Sequence, residues 1–512
     1  MRGILPRRPG PARTAPGGGS RARRRRGTAR LLAAAPLAVL CAAVLPAVAH
    51  AGTAGIAGGH AIGSSEILDT LWVLLAALLV LFMQAGFLLL EVGFSRMKNV
   101  GAGVAKILVN FAIAGVIFWV VGFALTFGHG DVLGHTGFLL SHYGDPQRAF
   151  PVMAGSHASI ESKWLFQFGF CAVSLAIVWG TTLERIRFGA YVAFAVVFCA
   201  LIYPLAAHWV LGGGWLQTHL GMQDFAGSTA VHLIGATAAL AAVLLLGPRR
   251  GKYGRDGTVR AIPGHNMPLV GLAAVILLIG WFGFNAGSTL GVMDLRFASV
   301  ALITLLSALG GVLGALVTSW RVQGTLDVSM IANGMIAGLV AITAPSGYVE
   351  AWPAPVIGFV AGIIVVLAVL AIDRRLDDPV GALAAHGIAG VWGTLACGVF
   401  AAPQLAAYNG VGQGGLLYTG SPHQLLAQAA GIVVVFLLVF GLSLATFAVI
   451  RATVGLRVPA AHEDAGLDIS EHGSYGYPEH FIADAELGLD SARVAVLRNR
   501  RPRTQPAAHP AT

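Results

Sequence analysis

Two histidines sit in segments where an ionisable group is costly. The stretches DFAGSTAVHLIGA, starting at Asp224, and DPVGALAAHGIAG, starting at Asp378, each open on an aspartate and carry a histidine eight residues on, His232 and His386. Aligned without a gap they also share Gly227 with Gly381, Ala230 with Ala384 and Ile234 with Ile388. A lone histidine in an apolar helix is commonly a buried ring bonded to a backbone carbonyl. Two at matched positions point elsewhere, because ionisable groups inside a membrane face a cavity or a conduction path and each imidazole is the natural partner of the other. Such a pair can hydrogen-bond a small polar molecule or share a proton between facing nitrogens. A catalytic metal normally takes three protein ligands. These segments offer no further carboxylate or cysteine at suitable spacing, so neither a metal nor a cofactor is expected. Asp224 and Asp378 read as helix starts, accepting from the first free backbone donors at the positive dipole end. On the outer face, Asp224 also adds negative potential that attracts cations.

The elements that must position these rings are membrane helices. The chain has 512 residues, is 56% hydrophobic and is only 11% charged, less than half the charge of an average soluble domain. Apolar runs recur, each long enough (about 20 residues) to cross a hydrocarbon core of about 30 Å. Eleven spans are predicted near residues 69–93, 103–127, 164–183, 189–210, 226–247, 268–290, 297–319, 328–345, 355–373, 380–402 and 424–450. The expected class is an all-α polytopic membrane protein. Alternate connections hold thirteen basic residues, from Arg96, Lys98 and Lys106 to Arg374 and Arg375; the others hold three, Arg148, Lys163 and Arg296. The basic side faces the cytoplasm. Span five then runs inward and span ten outward, which suggests an inverted five-helix repeat with an eleventh helix added. In straight α-helices, eight residues at a rise of about 1.5 Å put each histidine about 12 Å below its helix start, near the midplane.

The formal charge of +10 belongs to the N-terminus, where ten of the 33 Lys and Arg precede Ala51. An arginine run, an apolar stretch and Ala-His-Ala at 49–51 read as a cleaved signal peptide over residues 1–51; the alternative is an uncleaved first helix behind a basic arm. The remaining 23 basic and 23 acidic residues balance, which argues against nucleic acid as a partner. Residues 52–454 form the expected membrane domain, 455–483 a cytoplasmic regulatory tail, and 484–512 a basic, flexible extension near anionic lipid. The expected location is the plasma membrane, with the mature N-terminus outside and the C-terminus inside. Cys41, Cys171, Cys199 and Cys397 lack metal-type spacing and read as small apolar fillers.

Two more stretches matter. WFGFNAGS, Trp281 to Ser288, taken alone is an aromatic interface belt, and FQFGFCAV, Phe166 to Val173, taken alone is packed core. Together with both histidine motifs, LERIRF at Leu183 to Phe188, and GLRVPAAHEDAGLDISEHGSYGY at Gly455 to Tyr477, they resemble the ammonium transporter family (Amt/Mep/Rh), its bacterial Amt type in particular. The resemblance covers roughly residues 66–480. It implies eleven helices, a homotrimer, and one hydrophobic pore per subunit for ammonium or ammonia, with methylammonium as a second candidate substrate. By position, His232 and His386 match the family's twin pore histidines. Phe170 and Phe284 match its stacked gate, Ser288 the hydroxyl of its outer recruitment site, and Asp224 an acidic residue below that site. One position departs: in HWVLGGG, Leu211 stands where the family often has Trp before the triple glycine. A cation–π wall contributes up to about 2 kcal/mol when desolvated, so tight external capture is in doubt. The resemblance further implies a PII-type signalling protein as a cytoplasmic partner. It implies no enzyme activity, and its alternative reading is an ammonium sensor that signals through the tail and conducts little.

Overall fold

The computed structural model describes residues 63–481. The signal peptide and the basic extension expected from the sequence lie outside the described residues. Eleven apolar helices make up the membrane domain: α1 (Ser64–Phe94), α2 (Met97–Phe127), α3 (Ile160–Thr181), α4 (Phe188–Thr218), α5 (Ser228–Leu246), α6 (Met267–Ala286), α7 (Arg296–Gln323), α8 (Val328–Thr343), α9 (Pro353–Ile372), α10 (Leu383–Phe400) and α11 (His423–Thr453). Ten are long enough to cross a bilayer, and α8, at 16 residues, is shorter. Among the described residues there is no β-strand, only the isolated bridges Ile186 with Arg457 and Tyr253 with Val259.

Runs of Leu, Val, Ile and Ala become helices here because hydrocarbon leaves backbone groups no partner but each other. Polar side chains start several of them. Ser159 accepts from the Ser162 amide ahead of α3, Asn266 from Leu269 ahead of α6, and Asp327 from Ser329 and Met330 ahead of α8. Burial then sorts the helices. The apolar stretch of α3 is 89% buried and that of α11 only 22%, so α3 is the centre of the bundle and α11 its outer flank. Small residues let α7, α8 and α9 pack backbone to backbone: a Cβ on Gly358 would come within 1.9 Å of the Ser307 carbonyl oxygen, and one on Gly311 within 2.2 Å of that of Gly334.

The eleven spans stand where the sequence puts them; α1, α2, α4, α7 and α11 run past the predicted ends, while α5, α8 and α10 stop short of them. Some basic residues counted in the connections do not: Lys98, Arg296 and Arg321 fall in end turns of α2 and α7. Lys106 and Lys163, counted as loop residues, are buried within α2 and α3. Setting these two buried residues aside leaves twelve against two (thirteen minus Lys106, three minus Lys163), and the sense of the count is unchanged.

A second difference bears on the histidines. Both lie in wide π-helical turns, His232 in Ser228–Leu233 and His386 in Leu383–Ile388. Similar turns interrupt α2 at Phe118–Gly122, α4 at Phe198–Ile202 and α6 at Phe282–Ala286. Each π turn closes i to i+5, which shortens the rise and re-aims a side chain. Asp224 and Asp378 precede their helices, which the chain enters through Gly227 (φ 120°) and Gly381 (φ 77°), conformations that favour glycine. The straight-helix depth of about 12 Å therefore does not hold. What brings the rings together is one local construction, built twice.

The tail folds back onto the basic loops through two short helices, α12 (Ala460–Ala465) and α13 (Leu467–Glu471). Asp468 accepts from the Gly101 and Ala102 amides at 3.0 and 2.9 Å, where their helix begins. Glu463 receives Arg457 and the Arg250 amide, and Glu471 receives the Phe188 amide at the start of α4.

Candidate functional site

The aspartates fix the approach to each histidine. Both oxygens of Asp224 are taken up by backbone donors: the Gly227 and Ser228 amides at 2.8 and 3.0 Å on one, those of Thr229 and Ala230, each at 2.9 Å, on the other. Burial pushes this carboxyl up to about 6, and the four donors keep it from rising further. Asp378 repeats the pattern with Val380, Gly381 and Leu383. Side chains then pin the two segments. Ser228 donates to Val340 O and accepts from the Ala344 amide, Ser174 donates to Val231 O, and the Thr229 and Thr394 hydroxyls bond each other at 2.6 Å between α5 and α10.

Between these supports the imidazoles meet. Nδ1 of His232 lies 3.2 Å from Nδ1 of His386, the ring centroids are 5.2 Å apart, and both rings are buried. Two nitrogens at that distance must differ in protonation, one donating and the other accepting. Nε2 of His232 has no partner. Aromatic rings continue the series. His232 lies against Trp281 (5.2 Å, 21°) and Phe284 (5.6 Å, 28°), and Phe284 stacks face to face on Phe170 at 4.0 Å and 13°. The residues quoted from four separate stretches thus form one row, Phe170, Phe284, His232 and His386. The sequence alone reads Trp281 and Phe170 as belt and packing; instead Phe170 begins the row and Trp281 flanks it. Trp281 is held by its indole N–H on Thr343 at 2.9 Å.

On the Phe170 side opens a cavity of about 190 Å³ bounded by Phe127, Gln167, Phe170, Leu211, Asp224, Phe225, Ser288 and Tyr348. Ser288 donates its hydroxyl proton to Phe284 O at 2.9 Å, so its oxygen remains an acceptor for a cation's N–H. Leu211 is in the wall, as its place in the sequence implied. Trp209 is turned away, its indole bonded to Val132 O and its ring edge-on to Trp215. Phe225 already lies near a cation, the Arg296 guanidinium at 5.6 Å. Asp224 reaches this cavity with its oxygens committed to the backbone, so it contributes charge and architecture more than a free ligand. Sequence reasoning missed Gln167, whose buried Oε1 has no partner and whose one signal was a polar letter amid phenylalanines in FQFGFCAV. Among the described residues no cluster suited to a metal occurs.

LERIRF is structural. Glu184 binds Arg96, and buried Asp377 takes three hydrogen bonds from Arg249 at 2.7 to 2.9 Å, with Arg185 beside it donating to the Asp377 carbonyl. This cluster ties together the basic loops next to α5 and α10.

Comparison with known proteins agrees with the geometry. The profile of the Ammonium Transporter Family matches residues 71–477. The ammonium transporter Amt2 of Archaeoglobus fulgidus is 40% identical over 470 residues, covering 88% of this chain and 97% of that protein. Ammonium transporter 3 of Dictyostelium discoideum is 35% identical, covering 80% and 94%. Among solved structures, a protein described as a sensor Amt protein superposes with a TM-score of 0.73 at 34% identity, covering 80% of this chain and 98% of that one. Mep2 of Candida albicans superposes with a TM-score of 0.71 at 29% identity, covering 78% and 87%. On the extent of the profile match, the length and identity of these relatives, and the shared helical architecture, the chain belongs to the ammonium transporter family.

Proposed function

We propose that the chain transports ammonium by separating the proton from ammonia. The observation that carries this reading is the row Phe170, Phe284, His232 and His386, with two Nδ1 atoms 3.2 Å apart at its inner end. An intact cation cannot follow that row, since stripping water from an ammonium-sized ion costs on the order of 20 kcal/mol in the idealised limit. In the outer cavity NH4+ finds the Ser288 and Gln167 oxygens and the faces of Phe127, Phe170 and Tyr348. It gives up its proton there, and neutral NH3 passes between the phenyl rings when they part. The imidazole pair supplies hydrogen-bond partners beyond them and relays the proton separately. The chain forms no covalent intermediate, and the activity is transport rather than an enzyme reaction.

Family membership supports the setting: a homotrimer in the plasma membrane, N-terminus outside, tail in the cytoplasm. The tail's anchorage on the starts of two helices supports a regulatory role, with a PII-type protein as the partner that reads or caps this face. Methylammonium is the second substrate to test.

Purified protein in liposomes on a supported membrane, pulsed with ammonium and methylammonium, tests the reading. Inward current or internal pH change is expected; silence on both would assign the chain to sensing. His232→Ala and His386→Ala are each expected to reduce ammonium current at least about tenfold and to relax selectivity. Unchanged currents in both variants would exclude the relay.

A further inference from the structure

On the cytoplasmic side of the histidine pair, a small cavity is bounded by His386, Phe87, Glu91, Ile177, Asn333 and Val380. About 10 Å³ of it is open to the centre of a water, room for one small molecule. Glu91 stands in the last turn of α1, 1% exposed, and neither of its carboxyl oxygens has a hydrogen-bond partner. Lys106 on α2 is equally buried, and its Nζ is unpartnered too. Two ionisable groups left unsatisfied at membrane depth are rare, and such residues mark ion or proton paths. The sequence hides them, because each occurs once in an apolar helix with no motif around it.

Resting on the transport reading, we propose that Glu91 is the inner proton carrier of the conduit, the group that reunites proton and ammonia on the cytoplasmic side. As a carboxylate it accepts the proton leaving the histidine pair, directly or through the water the cavity holds. An imidazolium N–H bond breaks and a carboxyl O–H bond forms. Ammonia arriving in the same cavity then takes that proton; the O–H bond breaks, NH4+ leaves for the cytoplasm, and the carboxylate is restored. Charge and atoms balance without any other reactant. The groups facing Glu91 fit the role. Lys106, from α2, acts on it as an opposite charge without tying up either oxygen. The Tyr191 hydroxyl, from α4, is spent on the Lys106 carbonyl. Asn333, from α8, donates to Val380 O, and α10 contributes His386 itself. The part of α3 that lines the cavity (Ala176, Ile177 and Gly180) brings no ionisable group.

The test compares wild type, Glu91→Gln and Glu91→Asp in liposomes, reading ammonium-evoked current between about pH 5 and 8 and internal pH with a trapped dye. Glu91→Gln keeps the shape but holds no exchangeable carboxyl proton. It is expected to lose current at least about tenfold while electroneutral ammonia entry, seen as internal alkalinisation, continues. Glu91→Asp is expected to keep part of the current with its pH midpoint displaced. Should Glu91→Gln fail to assemble, Glu91→Asp decides: a displaced midpoint supports the carrier, and lower current at a fixed midpoint overturns it. A silent wild type instead overturns the transport reading, whereas an active wild type matched by Glu91→Gln in amplitude and pH profile overturns only the role of Glu91.

Discussion

At Leu211 the outer cavity has aliphatic wall where the resemblance calls for an indole. The remaining aromatic faces are unequal, because Phe225 is already engaged with Arg296. Leu211→Trp is therefore expected to tighten capture, lowering the half-saturating ammonium concentration by up to about thirtyfold, the equivalent of the ~2 kcal/mol of a desolvated cation–π contact. Concentration series on the supported membrane check this, and an unaltered half-saturation means the new ring does not face the cation. Asp224 makes a different demand. Asn in its place keeps one acceptor oxygen and turns an NH2 toward amide donors, so two of four N–H groups lose their acceptor. At about 1–3 kcal/mol per unsatisfied buried group, Asp224→Asn is expected to lower the thermal unfolding midpoint in detergent by several degrees. The histidines, the phenyl pair, Ser288 and Leu211 were all legible as residues, because motif order survives without knowledge of shape. Gln167 and Glu91 were not, because a single polar letter in an apolar run means nothing until its neighbours in space are known.

Among elements, the legible quantity was hydrophobic length. Eleven apolar runs dictated eleven helices, since lipid leaves the backbone no alternative. The π turns were illegible: a wide turn has no repeat to detect, and SerThrAlaValHisLeu reads as ordinary helix until α10 and α3 are packed against it. The basic loops also carry more than topology. Burial opposes ionisation of Asp377, yet the Arg249 hydrogen bonds and the Arg185 and Arg249 charges outweigh it and hold the carboxyl at about 2, below its usual 3.8. The folded-state value is depressed, so the cluster's stabilisation is fully present above about pH 4 and is lost as pH falls toward 2. A displacement of nearly two pH units corresponds to about 2 kcal/mol. Thermal melts at falling pH are expected to show this acid sensitivity in wild type and to lose it in Asp377→Asn, which is less stable at neutral pH.

For the whole molecule, the strongest sequence signal was asymmetry of charge. With Lys106 and Lys163 removed it remains twelve basic residues against two, and the expected orientation rests on that difference. A reporter fused after the C-terminus is expected to be shielded from external protease in intact cells. The intact mass of purified protein is expected to lack residues 1–51; retention of the full N-terminus selects the uncleaved first helix. Subunit number lay beyond single-chain reasoning except through resemblance, because apolar side chains on the outside of α1, α7 and α11 suit either lipid or another copy.

The facing Nδ1 atoms carry one last implication. If the proton between them sits on His232, that ring's outward Nε2 is bare and the far Nε2 of His386 bears hydrogen. When His232 Nε2 takes up a proton, the shared one crosses the 3.2 Å gap between the Nδ1 atoms and His386 Nε2 releases its own, so both ends are exchanged. The conduit is then polar lengthwise, presenting a base at one end and an acid at the other, and each passing charge leaves that polarity reversed. A second proton cannot follow until the rings reset, which makes the pair a turnstile rather than a wire.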